Sequence, residues 1–311
     1  MSTVPTRPAI RKWIQRALAN DPPRAKSLAV TIFGDAIQPH AGSIRLKALI
    51  DLLGPFGINH RLVRTSVFRL VRDHWLQPNR HGRESSYHLT ESGRRRFALA
   101  YDKIYRRQTP EWDGRWTLVA LPVNRSTREL RVHLRKELEW QGLRQLAPNL
   151  FGHPQINWAA LEEVLDRLNA RRKLITLQVV ESGALGTRGL ADLVRSSWNL
   201  FHVIEGYRAF LRRFSTLEQL TDDPGTIGPQ EWFIIRILLI HAFRRIVLYD
   251  PLLPAELLPS PWIGAEAYAL VARIYGRSLA ASEVHLSATI GLGPNQAKSA
   301  DNQLRQRFRS L

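Results

Sequence analysis

The chain has 311 residues and a formal net charge of +18, with a pI near 11.1. A content of 44% hydrophobic and 9% aromatic residues is typical of globular domains, which excludes a fully disordered chain. So large a positive charge is unusual for a metabolic enzyme and typical of a protein that binds a polyanion. Residues 1–110 hold 20 of the 45 basic residues and only 7 of the 27 acidic ones. The basic character therefore belongs mainly to the N-terminal third.

Cysteine is absent, which excludes disulfides and thiolate zinc sites, so a metal would need His and carboxylate ligands. We find no secretory signal and no 18-residue charge-free run for a membrane span, and we expect a cytoplasmic protein without membrane contact. Residues 9–20 form a short amphipathic pattern. It resembles a transit peptide or a membrane-surface helix, but we favour a helix that docks on its own protein.

Three helices joined by short turns are predicted next. The first covers residues 24–38 and ends at Pro39, and the second follows Ser43 as IRLKALIDLLG, up to Gly54. The third is NHRLVRTSVFRLVRD at 59–73. Such a trio, with a basic third helix, is the helix-turn-helix pattern.

Residues 59–73 divide into two faces at helical spacing. The apolar stripe consists of Val63, Val67, Leu70 and Val71. The opposite side carries Arg61, Arg64, Thr65, Phe68, Arg69 and Arg72, which together with Ser43 are the predicted DNA contacts. The arginine fork donates two parallel hydrogen bonds to phosphate oxygens or a guanine edge. The alternative is an ordinary solvated basic face.

A hairpin is predicted after this helix, with WLQPNR and SSYHLT as strands and Leu76, Tyr87 and Leu89 as inward positions. The tip carries Arg80, His81 and Arg83, as in a wing that follows the minor groove or backbone. Thr90 can cap a helix through Tyr105. The arginines 94–96 on that helix are either contacts to flanking DNA or a solvated face.

The middle segment is predicted to have a βα…αβ layout of modest size, with a strand-like turn region around Leu150 between its two helices. A strand at 116–121 precedes a helix with a Ser126 and Glu129 capping box, and an Asn157-capped helix precedes a strand at 174–180. This layout is compatible with a ferredoxin-like sandwich.

The C-terminal part is predicted to be helical after a Gly-rich hinge at 181–189. We expect helices at 190–214 and 265–280, and a buried or interfacial helix in the apolar run 231–249. A proline-punctuated extended segment follows Tyr249. Residues 291–311 are predicted to be a loose polar tail.

Three separate motifs carry a family resemblance. LVRTSVFRL with HWL and RHGRESSYHLT, then WDGRWTLVALP at 112–122, then HAFRRIVLYDPLLPAELLPSPWIG at 241–264 together resemble the PaaX-type repressors, regulators of phenylacetic acid degradation. The resemblance covers residues 24–285. It implies an N-terminal winged helix, a Cas2-like middle domain, a homodimer, and phenylacetyl-CoA or a related acyl-CoA as effector. Two positions depart from the family pattern: His74 replaces a glycine and Phe68 a small residue, so the operator sequence cannot be copied from relatives.

An acyl-CoA effector needs an apolar slot and cations for its phosphates. Composition alone nominates Trp198, Tyr207, Arg236, His241, Arg244 and Arg245 for this site. Each also has an ordinary structural alternative. No phosphate loop, zinc-spaced histidine pair or G-x-S-x-G motif is present, so we predict no catalytic residue, metal or cofactor.

Together these observations predict an α+β, mostly helical protein that represses an aromatic-acid catabolic operon and is not an enzyme. Its predicted parts are an extension (1–23), a winged helix-turn-helix domain (24–107), a ferredoxin-like domain (108–182), a helical effector and dimerisation domain (183–290) and a tail (291–311). Two alternatives stay open. One is a nucleic-acid binder without effector, and the other is a Cas2-like nuclease with Asp113 as metal ligand.

Overall fold

The computed structural model describes residues 8–40, 42–81, 84–106, 112–121, 127–156, 158–180, 194, 197–198, 200–222 and 224–308. Within these ranges, the side chains at 80, 81, 84, 224 and 294–299 are not part of the description. Contacts group the chain into two compact units. The first unit comprises residues 1–108, 205–249 and 263–311, and the second comprises 109–204 and 250–262.

The N-terminal part of the first unit alternates helices with three short strands. The elements are α1 (Pro8–Asn20), α2 (Ala25–Ile32) with a π-helical turn (Phe33–Ile37), β1 (Ser43–Arg45), α3 (Leu46–Leu53), α4 (His60–Arg72), β2 (Leu76–His81), β3 (Glu84–Leu89) and α5 (Glu91–Tyr105). Helix α1 docks on its own unit, as predicted. Trp13 Nε1 donates to the Arg213 carbonyl at 3.3 Å, and the Trp13 and Phe214 ring centroids lie 5.5 Å apart.

The strands form an antiparallel sheet in the order β1-β3-β2. The predicted hairpin of β2 and β3 is confirmed, with Leu76 opposite Leu89 and both side chains buried. The prediction that a helix starts directly after Ser43 is wrong. Ser43 and Ile44 pair with His88 and Tyr87 as an edge strand, because the buried Ile44 side chain fits the pleated sheet and the helix begins only at Leu46.

The second unit contains β4 (Arg115–Ala120), α6 (Arg128–Trp140), β5 (Arg144–Ala147), β6 (Leu150–His153), α7 (Trp158–Arg167) and β7 (Ile175–Val180). The strand order is β5-β6-β4-β7, and every neighbouring pair is antiparallel. This βαββαβ order is that of a ferredoxin-like sandwich. Helix α6 is capped by Thr127, whose hydroxyl accepts from Leu130 N at 3.2 Å. Ser126 and Asn157 lie outside the described residues.

Four further helices follow: α8 (Phe201–Leu220), α9 (Pro229–Val247), α10 (Ile263–Ile290) and α11 (Pro294–Arg305). Helix α9 is buried along most of its length, as its apolar run predicts. The predicted bounds of the neighbouring helices are wrong, since α8 ends six residues after position 214 and α10 continues to Ile290. The predicted hinge at 181–189 lies outside the described residues.

The described residues of the predicted loose tail, 291–308, are packed against the first unit, contrary to the prediction. Pro294–Arg305 form α11, and Leu304, Arg307 and Phe308 near or just after its end are buried. The Phe308 amide donates to the Tyr105 carbonyl at 3.0 Å. The apolar side chains of Leu304 and Phe308 provide the burial that outweighs the polar composition of this segment.

None of the helices within the described ranges is both long and apolar enough to cross a membrane. The coarse prediction of a mostly helical α+β protein is confirmed.

Candidate nucleic-acid interface

The N-terminus of helix α4 is capped by a side chain that accepts a hydrogen bond from a backbone amide of its first turn. Asn59 is the N-cap, and its Oδ1 accepts from Leu62 N at 2.9 Å. Val63, Val67 and Leu70 are buried, as predicted, whereas Val71 is only half-buried. One side of α4 is thus fixed in the core, which holds the other side in a defined direction.

The outer side of α4 matches the predicted contact face. Arg61, Arg64, Thr65, Phe68, Arg69 and Arg72 are all exposed, and Phe68 retains 68% of its accessible surface. Within the described part of the chain, no carboxylate lies within 4.0 Å of Arg61, Arg64 or Arg69. Arg72 is 3.3 Å from Asp73. An exposed cationic face without internal counter-charges is suited to bind an external polyanion.

The Thr65 hydroxyl donates to the Arg61 carbonyl at 2.9 Å, which leaves its lone pairs and methyl group outward. Two exposed cations beside the predicted contact Ser43 were not singled out from the sequence. They are Arg45 at the end of β1, whose guanidinium lies next to Gly291, and Lys47 at the start of α3. Their exposure follows from the change from strand β1 to helix α3 at Leu46, which was not predicted from the sequence.

A sharp turn joins α4 to the hairpin. His74 adopts φ +56°, the left-handed conformation that a glycine would ordinarily take. The Thr90 hydroxyl donates to the His74 carbonyl at 2.6 Å and accepts from Gly93 N at 2.9 Å. A Cβ on Gly93 would lie 2.4 Å from the Trp75 carbonyl oxygen, so only glycine permits this approach. The turn, the hairpin and α5 are therefore tied together at one point.

The hairpin tip carries the remaining predicted contacts. Arg80 and His81 lie at the end of β2, opposite Ser85 and Glu84. Their side chains and all of Arg83 lie outside the described structure. Their contact with DNA stays a prediction.

The three arginines at the start of α5 are each engaged within the protein. Arg94 Nη1 donates to the Leu89 carbonyl at 2.8 Å, Arg95 pairs with Glu91, and the Arg96 guanidinium lies 4.9 Å from the Trp75 ring. The contacts of Arg94 and Arg96 favour a role in holding the turn and hairpin against α5 over contact with flanking DNA, whereas the Arg95–Glu91 pair lies on the exposed surface of α5 itself.

The predicted effector residue Arg236 is part of a buried ion cluster, which comprises Asp35, Arg236, Glu283 and Arg307. Asp35 Oδ2 accepts from Arg236 Nε at 2.7 Å, and Asp35 Oδ1 accepts from Arg307 Nη1 at 3.0 Å. Glu283 accepts from Arg236 Nη1. The side chains of Asp35, Arg236 and Arg307 have no solvent exposure. Arg236 is thus occupied by structural carboxylates, which leaves none of its charge for a ligand.

The pKa values of two groups at this cluster, Glu283 and Tyr275, are shifted in opposite directions. Burial alone would raise the pKa of Glu283, but the charge of Arg236 and hydrogen bonds from His40 and Arg236 lower it to about 2. Burial raises the pKa of Tyr275, whose hydroxyl donates to Asp35, to about 12.

His241 and the following arginines differ in their surroundings. His241 is buried, and its Nδ1 shares a 2.8 Å hydrogen bond with the Thr31 hydroxyl. Burial, with the charges of Arg244 and Arg245, lowers the pKa of His241 to about 3, so the imidazole is neutral at neutral pH. Arg244 Nη2 donates to the Ser27 side chain at 2.9 Å, whereas Arg245 is exposed and pairs with Asp21.

The two nominated aromatic residues are core residues of different units. Trp198 packs in the second unit, 5.9 Å from the Trp116 ring, and its Nε1 donates to the Gly142 carbonyl at 3.3 Å. Tyr207 is buried in the first unit, 6.3 Å from the Phe243 ring. The predicted six-residue effector set is therefore not gathered in a single unit.

Asp113, considered above as a metal ligand, instead contacts Arg115 within its own turn. Its Oδ1 accepts from Arg115 N at 2.9 Å and its Oδ2 lies 3.7 Å from Arg115 Nε. Among the residues that the structure describes, no group of three or more His, Asp or Glu side chains is close enough to hold a metal ion.

Comparison with protein families gives three consecutive matches along the chain. Residues 24–93 match the family model described as PaaX-like protein, residues 109–191 the PaaX protein central Cas2-like domain, and residues 198–288 the PaaX-like protein C-terminal domain. The Cas2-like match covers the ferredoxin-like sandwich of the second unit.

Individual relatives agree with this assignment. The chain is 36% identical over 267 residues to the Transcriptional repressor PaaX of Escherichia coli (strain K12), which covers 85% of this chain and 84% of the relative. Among solved structures, the uncharacterized protein Rv0674 from Mycobacterium tuberculosis superposes with a TM-score of 0.55 at 22% identity, over 85% of this chain and 98% of that one. The structural likeness shows the fold, and the sequence matches show the family. The chain belongs to the PaaX family.

Proposed function

We propose that this protein is a DNA-binding transcriptional repressor of an aromatic-acid catabolic operon, active in the bacterial cytoplasm. The observation that carries the proposal is the exposed face of α4, on which Arg61, Arg64 and Arg69 have no described carboxylate within 4.0 Å. The E. coli relative named a transcriptional repressor, 36% identical over most of both chains, supports the same role.

In this proposal, β1, α3, α4 and the β2–β3 hairpin act as a winged helix-turn-helix. Helix α4 enters the major groove, where Arg61 and Arg64 near its N-terminus face base edges and Arg69 and Arg72 face phosphates. Phe68 contacts a thymine methyl group or wedges at a base step. The hairpin tip follows the neighbouring backbone or minor groove. Ser43 lies on β1, so we assign it a contact with the DNA backbone and none with the bases.

Two subunits would bind one operator. A homodimer places two α4 helices in successive major grooves, which requires an inverted repeat with half-sites about 34–36 Å apart. The family resemblance supplies the effector, phenylacetyl-CoA or a related aryl-acyl-CoA. Such a ligand releases the operator if it binds more tightly to a subunit arrangement whose two α4 helices cannot span both half-sites.

A gel-shift experiment with operator and random DNA tests the reading helix. Arg64→Ala should weaken operator binding by about 1–3 kcal/mol and random-sequence binding by less, because loss of a base contact costs specificity. Arg208→Ala is a matched control, since Arg208 is an exposed arginine paired with Glu205 on α8. Equal losses on both DNAs would show that Arg64 contacts phosphate only.

A separate titration tests whether an acyl-CoA releases the protein from its operator. Adding a panel of CoA thioesters to the preformed operator complex should release DNA with at least one aryl-acyl-CoA and not with free CoA. A complex indifferent to the whole panel would favour a nucleic-acid binder without an effector.

A further inference from the structure

A cavity of about 330 Å³ lies in the first unit, away from the exposed face of α4. Its walls come from α2 and the π-helical turn on one side, α5 on the other, and α9, with Gln303 of α11 at the edge. Small-molecule sites in proteins measure roughly 300–1,000 Å³ and combine apolar walls with a few polar anchors. This cavity has the size for a small ligand.

The walls are aromatic and aliphatic over most of their extent. Phe97, Tyr101 and Tyr105 line the cavity from α5, and Val30 and Ile240 line it from α2 and α9. Phe97 can lie this close to the π-helical turn only because residue 34 is glycine, where a Cβ would be 2.5 Å from the ring. Ring faces and branched aliphatic side chains favour a flat apolar ligand body.

Arg244 supplies a charge at this cavity that the protein does not neutralise. Its Nη2 donates to the Ser27 carbonyl and hydroxyl at 3.0 and 2.9 Å, both of them neutral acceptors. Its Nε is buried and has no hydrogen-bond acceptor. No carboxylate of a described residue lies within 4.0 Å of the guanidinium.

The other ionisable groups on the cavity wall are already compensated. Asp35 is held by Arg236 and Arg307, and Asp102 lies 3.9 Å from Arg106. Arg94 donates to the Leu89 carbonyl and is exposed, so water hydrates its charge. A largely buried guanidinium such as Arg244 is costly without a counter-charge, because the neutral acceptors of Ser27 replace its hydration only in part. A bound carboxylate would provide the missing charge and charge-assisted hydrogen bonds.

We propose that this cavity is a binding site for a small aromatic carboxylate, whose ring lies among Phe97, Tyr101 and Ile240 and whose carboxylate pairs with Arg244. Helix α2 packs on α4, and α5 is tied to the hairpin through Thr90, so a ligand here touches both supports of the exposed α4 face. A regulatory effect of the bound carboxylate rests on the proposed repressor function, whereas binding of the carboxylate to the cavity does not depend on that function.

The test is calorimetric titration of the full chain without DNA, using benzoate and phenylacetate as probes and their neutral amides as partners. The acid should bind saturably and at least about tenfold more tightly than its amide, a difference of about 1.4 kcal/mol. Arg244→Gln should lower the affinity for the acid by at least the same factor. Arg245→Gln is the matched control, because it removes an equal charge one residue away at an exposed position outside the cavity wall, and it should leave affinity within about twofold.

A second variant guards against a folding defect in the first. Ala98 lines the cavity at an exposed position of α5, so Ala98→Trp should fill the space and abolish binding while Arg244 stays intact. No saturable binding of either acid, equal affinity for acid and amide, or unchanged binding by Arg244→Gln would each overturn the proposal. So would binding of an acyl-CoA thioester without binding of the free acid, although that result would support the proposed repressor.

Discussion

The buried ion cluster predicts that Asp35→Asn will destabilise the first unit far more than an ordinary surface substitution. Asp35 has no exposed side-chain surface and accepts from Arg236, Arg307 and the hydroxyl groups of Tyr105 and Tyr275. Asparagine has the same shape but lacks the charge. Its amide group must also place a donor where the aspartate had only acceptors.

The size of the effect follows from which arginine keeps a partner. Arg236 retains Glu283, whereas Arg307 has no second carboxylate among the described residues and remains fully buried. Breaking a buried ion pair by removing one member typically costs about 3–5 kcal/mol, because the remaining charge stays buried without compensation. We therefore expect a loss of about 3–5 kcal/mol in the free energy of unfolding.

Equilibrium urea unfolding followed by circular dichroism measures this loss. Asp301→Asn is the matched control, since Asp301 pairs with Arg305 on the half-exposed surface of α11 and its loss should cost less than about 1 kcal/mol. Adding Arg307→Met to Asp35→Asn should restore part of the stability, because no unpaired charge then remains. A loss for Asp35→Asn no larger than that for the control would refute the assignment of a buried charged cluster.

Three further predictions concern the C-terminus, pH and salt. Phe308→Ala should lower the free energy of unfolding in urea by about 3–5 kcal/mol, because Phe308 is 5% exposed among three tyrosine rings. Phe68→Ala at an exposed site is the control and should lower it by less than about 0.5 kcal/mol. Equal losses would show that the packing of Phe308 does not stabilise the first unit. The pKa of His241 is about 3 in the folded protein against 6.5 for a free imidazole, so the unfolded chain binds more protons and stability should fall as pH drops below 6.5. His241→Gln should flatten that slope between pH 6.5 and 4.5, above the range where protonation of Glu283 contributes, and an unaltered slope would contradict a neutral buried imidazole. Arg69→Ala should reduce the slope of log K against log salt for DNA binding by about 0.9, and an unchanged slope would remove Arg69 from the phosphate contacts.

Local patterns predicted the helices that carry one apolar and one charged face. Helix α4 is the clearest case, since its buried stripe and exposed arginines follow from spacing along one helical turn. The cap at Thr90 was likewise predicted, because it depends on neighbours within a few residues. The apolar run of α9 predicted burial for the same reason.

Predictions from the sequence were wrong where the interacting residues are far apart in the chain. Arg236, nominated for an effector, pairs with a carboxylate 201 positions away, and Arg307 in the supposed tail donates to the carbonyl of the same residue across 272 positions. Strand β1 was missed because three residues gain strand geometry only by pairing with β3. In each case the partner lies far away in the chain, and local patterns do not show which residues the fold brings together.

By itself, the sequence determined that α4 presents arginines outward and that the chain resembles one family from residue 24 to 285. Charge, periodicity and motif order are properties of the chain before it folds. Only the tertiary structure decided which arginines are free to meet a ligand. Arg236 and Arg307 are neutralised by Asp35 and Glu283, whereas Arg244 lines a cavity and has no described carboxylate within 4.0 Å of its guanidinium, because the packing of α2, α5 and α9 places acids beside the first two arginines and none beside the third.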